Sequence, residues 1–253
     1  MAPVAAAVLP HPPLLVPELA GVAAPELDNV RAACREALAT VVAAADLALV
    51  VGDGPVWGVP EPSAPGSFAP YGVDRQVTLP AALTELDLPE LPTPARLPDL
   101  PLSLAVAAHL LTGLDPAPAR LFAATVPTSL GPGAAAAIGR ALAAAGNGSA
   151  AGGPVGLVVM ADLSACRTEQ APGAFRAEAA DFDASVAEAL RTGKPARLLD
   201  LDPALAADLM VAGRVPLQVL AGAFESEPAV HGRVLYEDAP YGVGYLVALL
   251  TPP

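Results

Sequence analysis

Four short stretches of this chain carry side chains suited to chemistry, and three of them follow apolar runs that read as buried strands. The first is His11, held in Pro10-His11-Pro12-Pro13 after the run from Val4 to Leu9. Proline fixes φ and removes a backbone donor, so this turn is stiff and presents the imidazole in a set direction. The second is Asp53, between Gly52 and Gly54 at the end of the run 46–52. The third is Asp162-Leu163-Ser164, with Arg167 close behind, after the run 155–161. The fourth is Tyr241, in a turn between two late apolar segments. An imidazole and carboxylates at neighbouring strand ends can exchange a proton, bind a hydrogen-bonding ligand or hold a metal ion. Asp162 also has a structural reading, since a carboxylate just after a strand accepts N–H groups of its own turn. Ser164 has no histidine near it in sequence, which leaves a Ser-His-Asp nucleophile unsupported. His109, inside a predicted helix, and His231, before a late strand, read as structural rather than as ligands.

These groups need a scaffold that brings strand ends together. Leu27, Val30, Cys34, Leu38, Val41 and Ala45 recur at helical spacing and predict an amphipathic helix over 25–45, with Arg31, Arg35 and Glu36 off the stripe. Flanked by the two apolar runs, that helix implies a parallel βαβ unit. Downstream, the pattern predicts a helix over 102–113, a strand over 120–126, a helix over 133–145 and a strand over 155–161. A helix over 175–192, closed by Gly193 and Pro195, and short helices over 203–212 and 216–224 follow. Two terminal strands, 232–236 and 242–250, joined by a turn over 237–241, are expected to run antiparallel to the rest of the sheet. The alternation argues a three-layer α/β/α fold with a mostly parallel central sheet, in one domain over 1–253. Ligands of such folds gather outside the carboxyl ends of the strands, where His11 is placed.

Residues 53–101 break the pattern. They hold many of the 30 prolines and, with Trp57, Phe68 and Tyr71, a concentration of aromatics. So long a stretch, relieved only by a short strand over 76–79, reads as a lid over the end of the first strand or as a passive surface loop.

The strand followed by Pro-His-Pro-Pro-Leu-Leu resembles the opening of the class III extradiol ring-cleavage dioxygenases, the LigB superfamily that includes the Memo-like proteins. Further segments resemble the same superfamily in the expected order: 46–55, Val158 to Ala165, Phe182-Asp183, Val211 to Pro216 and Ala239 to Tyr245. The resemblance implies a LigB-like α/β fold and a mononuclear Fe(II) whose first histidine ligand corresponds to His11. It also exposes departures. The second turn, where the family usually carries another histidine, reads Gly52-Asp53-Gly54; the acid/base position reads Ala165; and the last ligand position falls at or beside Ala212. Of the metal ligands only His11 remains, as a vestige, with Asp53 as a carboxylate beside it. The pocket candidates are therefore His11, Asp53, Asp162, Ser164 and Tyr241, with Arg167 adding polarity. The expectation is a fold without ring-cleavage activity and without a cofactor, acting as a small-molecule-binding or interaction protein. The alternative is an active metal-dependent oxygenase or hydrolase that holds Fe(II) or zinc through His11 and non-standard ligands. Members of the superfamily often self-associate, so the resemblance also implies a homo-oligomer.

Composition sets outer bounds. With 13 basic and 26 acidic residues the net charge is −13, a field that repels nucleic acid and anionic membranes. The stretch 141–161 is uncharged but interrupted by glycines and Pro154, which excludes a membrane span. No basic residue precedes the first apolar run, so it does not read as a secretory signal. Two cysteines, Cys34 and Cys166, form no framework, and a reducing cytoplasm is the expected location. Dinucleotide-binding, Walker, nucleophile-elbow and Cys-x-x-Cys motifs are absent.

Overall fold

A computed structural model describes residues 2–80, 82–83, 85–148, 153–227 and 230–252. The first strand, β1 (Ala5–Leu9), is buried along its whole length. Ala6 and Val8 face one hydrophobic layer, and Ala5, Ala7 and Leu9 face the other. A strand covered on both faces needs apolar residues at every position, which is why it appears in sequence as an unbroken run. β2 (Leu47–Gly54), β8 (Leu121–Pro127) and β9 (Val155–Met160) follow the same rule.

Between β2 and β8 the chain forms β3 (Gly58–Pro60), β4 (Gly66–Ser67), β5 (Gln76–Val77), β6 (Ala82–Leu83) and β7 (Ala95–Leu97). It closes with β10 (His231–Asp238) and β11 (Tyr245–Thr251). Among the described residues the main sheet has nine strands, in the order β10-β11-β1-β9-β2-β8-β3-β7, with β6 also on β8. Its centre, β1-β9-β2-β8, is parallel. The terminal pair is antiparallel, to each other and to β1.

Among the described residues, seven α-helices accompany the sheet: α1 (Pro17–Ala20), α2 (Asp28–Ala44), α3 (Leu102–Thr112), α4 (Pro132–Gly148), α5 (Glu178–Arg191), α6 (Pro203–Asp208) and α7 (Arg214–Ala223). Val30, Cys34, Leu38 and Val41 of α2 share one hydrophobic layer with Leu104 and Leu111 of α3. Leu142 of α4, Val186 of α5, Ala206 of α6 and Leu217 of α7 share the other. This is the three-layer α/β/α architecture that the alternation predicts. α2 starts at Asp28 because 21–27, with Pro25 inside it, winds as a 3-10 turn. Residues 195–200 form another 3-10 turn that periodicity does not reveal.

The 53–101 segment differs from a lid. β3, β6 and β7 extend the sheet along the β8 edge, and Phe68 is buried in the layer beneath α3. Trp57 Nε1 donates to Pro92 O at 2.9 Å, which ties one part of the segment to another. The physical reason is edge satisfaction: a proline-rich chain can still pair short stretches against an open strand. Among the described residues, no helix is long and apolar enough to cross a membrane.

Candidate functional site

The register of the parallel strands sets the site. Leu9 lies opposite Met160, and Val51 lies opposite Val159, so β1, β9 and β2 end at nearly the same level. Each functional group sits at a strand end: His11 just after β1, Asp162 just after β9, and Asp53 next to last in β2. Glycine flanks Asp53 for a packing reason. A methyl at Gly52 would meet Ser103 Oγ at 2.3 Å, and one at Gly54 would meet Thr125 Cβ at 2.6 Å. Bare backbone lets the end of β2 press between α3 and β8, where Ser103 Oγ donates to Asp53 O at 2.7 Å.

His11 is 3% exposed and faces two carboxylates. Its Nε2 is 3.1 Å from Asp53 Oδ1 and 3.8 Å from Asp162 Oδ2. Its backbone N–H donates to Asp162 Oδ1 at 2.7 Å. Asp162 therefore takes a bond from a residue 151 positions away, where the local reading expects one from its own turn. Burial pushes the imidazole pKa down, but the charges of Asp162 and Asp53 outweigh it and the net shift is upward. Burial also raises Asp162, against the pull of His11. The side chains of Asp53 and Asp162 remain 27% and 16% exposed, so the cluster is open to solvent on its carboxylate side. Two buried atoms, His11 Nδ1 and Asp53 Oδ1, have no hydrogen-bond partner. The 3.1 Å contact between Asp53 and Nε2 is thus an ion-pair distance without the alignment of a hydrogen bond.

Ser164 belongs to a second network. Its N–H donates to Asp183 Oδ1 at 2.9 Å and its hydroxyl to Asp183 Oδ2 at 2.7 Å. Arg167 Nη1 donates to the same Oδ2 at 3.0 Å. Asp183, on α5 and buried, is the residue that sequence reasoning missed; the only trace was its place in Phe182-Asp183. Burial raises its carboxyl pKa, while Ser164 and Arg167 oppose the shift. A methyl at Gly244 would sit 2.4 Å from Asp183 Oδ2, so this position too requires glycine. Backbone bonds draw the other matching segments to the same place: Leu163 N–H to Gly244 O, Gly244 N–H to Ser164 O, and Gly213 N–H to Asp162 O.

Tyr241 is placed elsewhere, with its hydroxyl donating to Glu26 Oε2 at 2.9 Å. Tyr245 is buried, and its phenol is pushed up by burial and by the charge of Asp162. His109 stands edge-on to Phe68 with ring centroids 6.4 Å apart. Both cysteines are buried and free.

The donor set at His11 is one imidazole and two carboxylates, against the two imidazoles and one carboxylate of an Fe(II) facial triad. Among the described residues, no group of three or more His, Cys, Asp and Glu side chains is disposed to hold a metal ion. The available chemistry is proton exchange between His11 and its carboxylates, and acceptance of hydrogen bonds by the part-exposed Asp53 and Asp162 side chains.

No family model matches the chain, and no curated protein matches it. The fold is nevertheless shared with a solved structure. The chain is similar to the uncharacterized protein JW3007 from Escherichia coli K12, with a TM-score of 0.60 over 98% of this chain and 99% of that one. At 14% identity the likeness speaks for the fold alone.

Proposed function

We propose that this chain is a class III extradiol dioxygenase-like protein that binds a small molecule at the His11–Asp53–Asp162 end of its sheet and does not cleave catechols. The observation that carries the reading is the 3.1 Å approach of Asp53 Oδ1 to His11 Nε2. In the family resembled, that imidazole serves a metal; here it faces an anion and is held toward its protonated form, which is not a ligand. The convergence of the matching segments supports the resemblance: residues 162–164 bond to 213, 183 and 244. Ala165 supplies no acid or base, and Ala212 supplies no ligand. The part-exposed side chains of Asp53 and Asp162 suit a ligand that donates hydrogen bonds, through hydroxyl or ammonium groups. The test is a metal-free titration with catechol while the His11 ring is followed by NMR. A saturable shift supports the reading; a ring that never responds removes it.

A metal-dependent oxygenase or hydrolase is the second reading; the observation on its side is that Asp53 Oδ1, 3.1 Å from His11 Nε2, is buried without an aligned hydrogen bond, so two candidate ligands stand together. Fe(II) or zinc would require neutral His11, and a stoichiometric metal lost in a His11→Ala variant would favour this reading. A cytoplasmic location and self-association remain part of the proposal, resting on composition and resemblance.

A further inference from the structure

A cleft lies away from His11. It is about 460 Å³ and is formed by the start of α1, the 3-10 turn 21–27, α2 and the end of α3. Pro17, Pro25 and Leu110 give it an apolar wall, and Arg31, Arg35 and His109 line it as well. Arg31 is only 6% exposed, and half of its guanidinium is engaged: Nη2 donates to Ala24 O and, at 2.7 Å, to Asp28 Oδ1. Its Nη1 is buried with no hydrogen-bond partner, and so is Nδ1 of His109. A buried guanidinium nitrogen without an acceptor is costly; both atoms are closed to solvent, so an acceptor in the cleft reaches them only when the Arg31 or His109 side chain turns toward it.

Charge narrows the choice. Arg31 and Arg35 against Asp28 leave the lining with a formal charge of +1, in a chain whose net charge is −13. The other charges near His109 are Glu18 and Arg75, which pair with each other. Burial, then Arg75, holds His109 below its ordinary value, so it meets the cleft as a neutral imidazole. One net positive charge beside an apolar wall matches a monoanion with an apolar body better than it matches a dianion.

We propose that this cleft binds a small-molecule monocarboxylate, with its carboxylate against Arg31, Arg35 and His109 and its apolar body on Pro17, Pro25 and Leu110. The site is independent of the His11 cluster.

Benzoate is the probe, and the ring signals of the three histidines report where it binds. Titration of the full chain at constant ionic strength shifts His109 saturably and leaves His11 and His231 in place. Arg31→Met weakens binding about tenfold, the loss of one charge-assisted hydrogen bond. Should that variant fail to fold, Arg35→Gln decides the matter, because Arg35 is exposed and its loss leaves the core intact. It too weakens benzoate. No saturable shift at His109, unchanged affinity in Arg35→Gln, or phosphate binding as tightly as benzoate would each overturn the proposal.

Discussion

His11 and Asp162 are joined twice: the His11 backbone N–H donates to Asp162 Oδ1 at 2.7 Å, and Asp162 Oδ2 stands 3.8 Å from His11 Nε2. One carboxylate thus fixes both the turn and the charge of the imidazole. With Asp53 on the same nitrogen, the ring is biased toward imidazolium, and this governs what the site can do.

Stability should depend on pH through His11. Its pKa in the folded chain lies above the ordinary 6.5, so the folded state holds the proton more tightly than the unfolded state. The stabilisation is complete below pH 6.5 and is lost as pH rises through the elevated value. His109, shifted down by burial, titrates below this window. Urea midpoints should fall across the window in the parent chain and fall less in His11→Asn; equal slopes would remove His11 as the cause.

Asp162→Asn keeps an acceptor for the His11 N–H and deletes the charge. The His11 pKa, followed by NMR, should drop relative to the parent, and Asp53→Asn should lower it as well. A pKa that ignores both substitutions would mean that the carboxylates do not control the ring.

Asp183→Ala strands the Ser164 N–H, leaves the Ser164 hydroxyl only its 3.5 Å contact to Ala179 O, and removes the acceptor of Arg167. Leaving such buried donors without an acceptor should cost about 3 kcal/mol, whereas Ser164→Ala should cost about 1 kcal/mol. Denaturant unfolding measures both. Equal losses would place the weight on the hydroxyl instead of on the carboxylate.

Gly244→Ala puts a methyl 2.4 Å from Asp183 Oδ2 and 2.9 Å from Leu163 Cβ. Overpacking of this kind should cost about 3 kcal/mol. A variant as stable as the parent would show that the turn before β11 yields freely.

Much of this architecture is legible in the residues themselves, for a physical reason. β1, β2, β8 and β9 are covered on both faces, so each is an unbroken apolar run, and the stripe of α2 has helical spacing. The nearness of His11 and Asp53 follows from both lying at the ends of strands in one parallel sheet. β3, β6 and β7 escape notice because strands of two or three residues, set in a proline-rich segment, carry no period. Asp162 misleads because its partner is distant in sequence, and local turn chemistry is all that its neighbours suggest. Asp183 escapes for a similar reason, since only the docking of α5 brings it to Ser164.

The central claim, binding without ring cleavage, is tested most directly by anaerobic Fe(II) loading followed by a simple catechol in air, with absorbance followed. Removing one general acid or base commonly costs about 10²–10⁴-fold in rate, and here the metal ligands differ too. The account predicts no ring-opened product above the rate of free iron. A yellow product formed at a rate proportional to iron bound by the protein would contradict it.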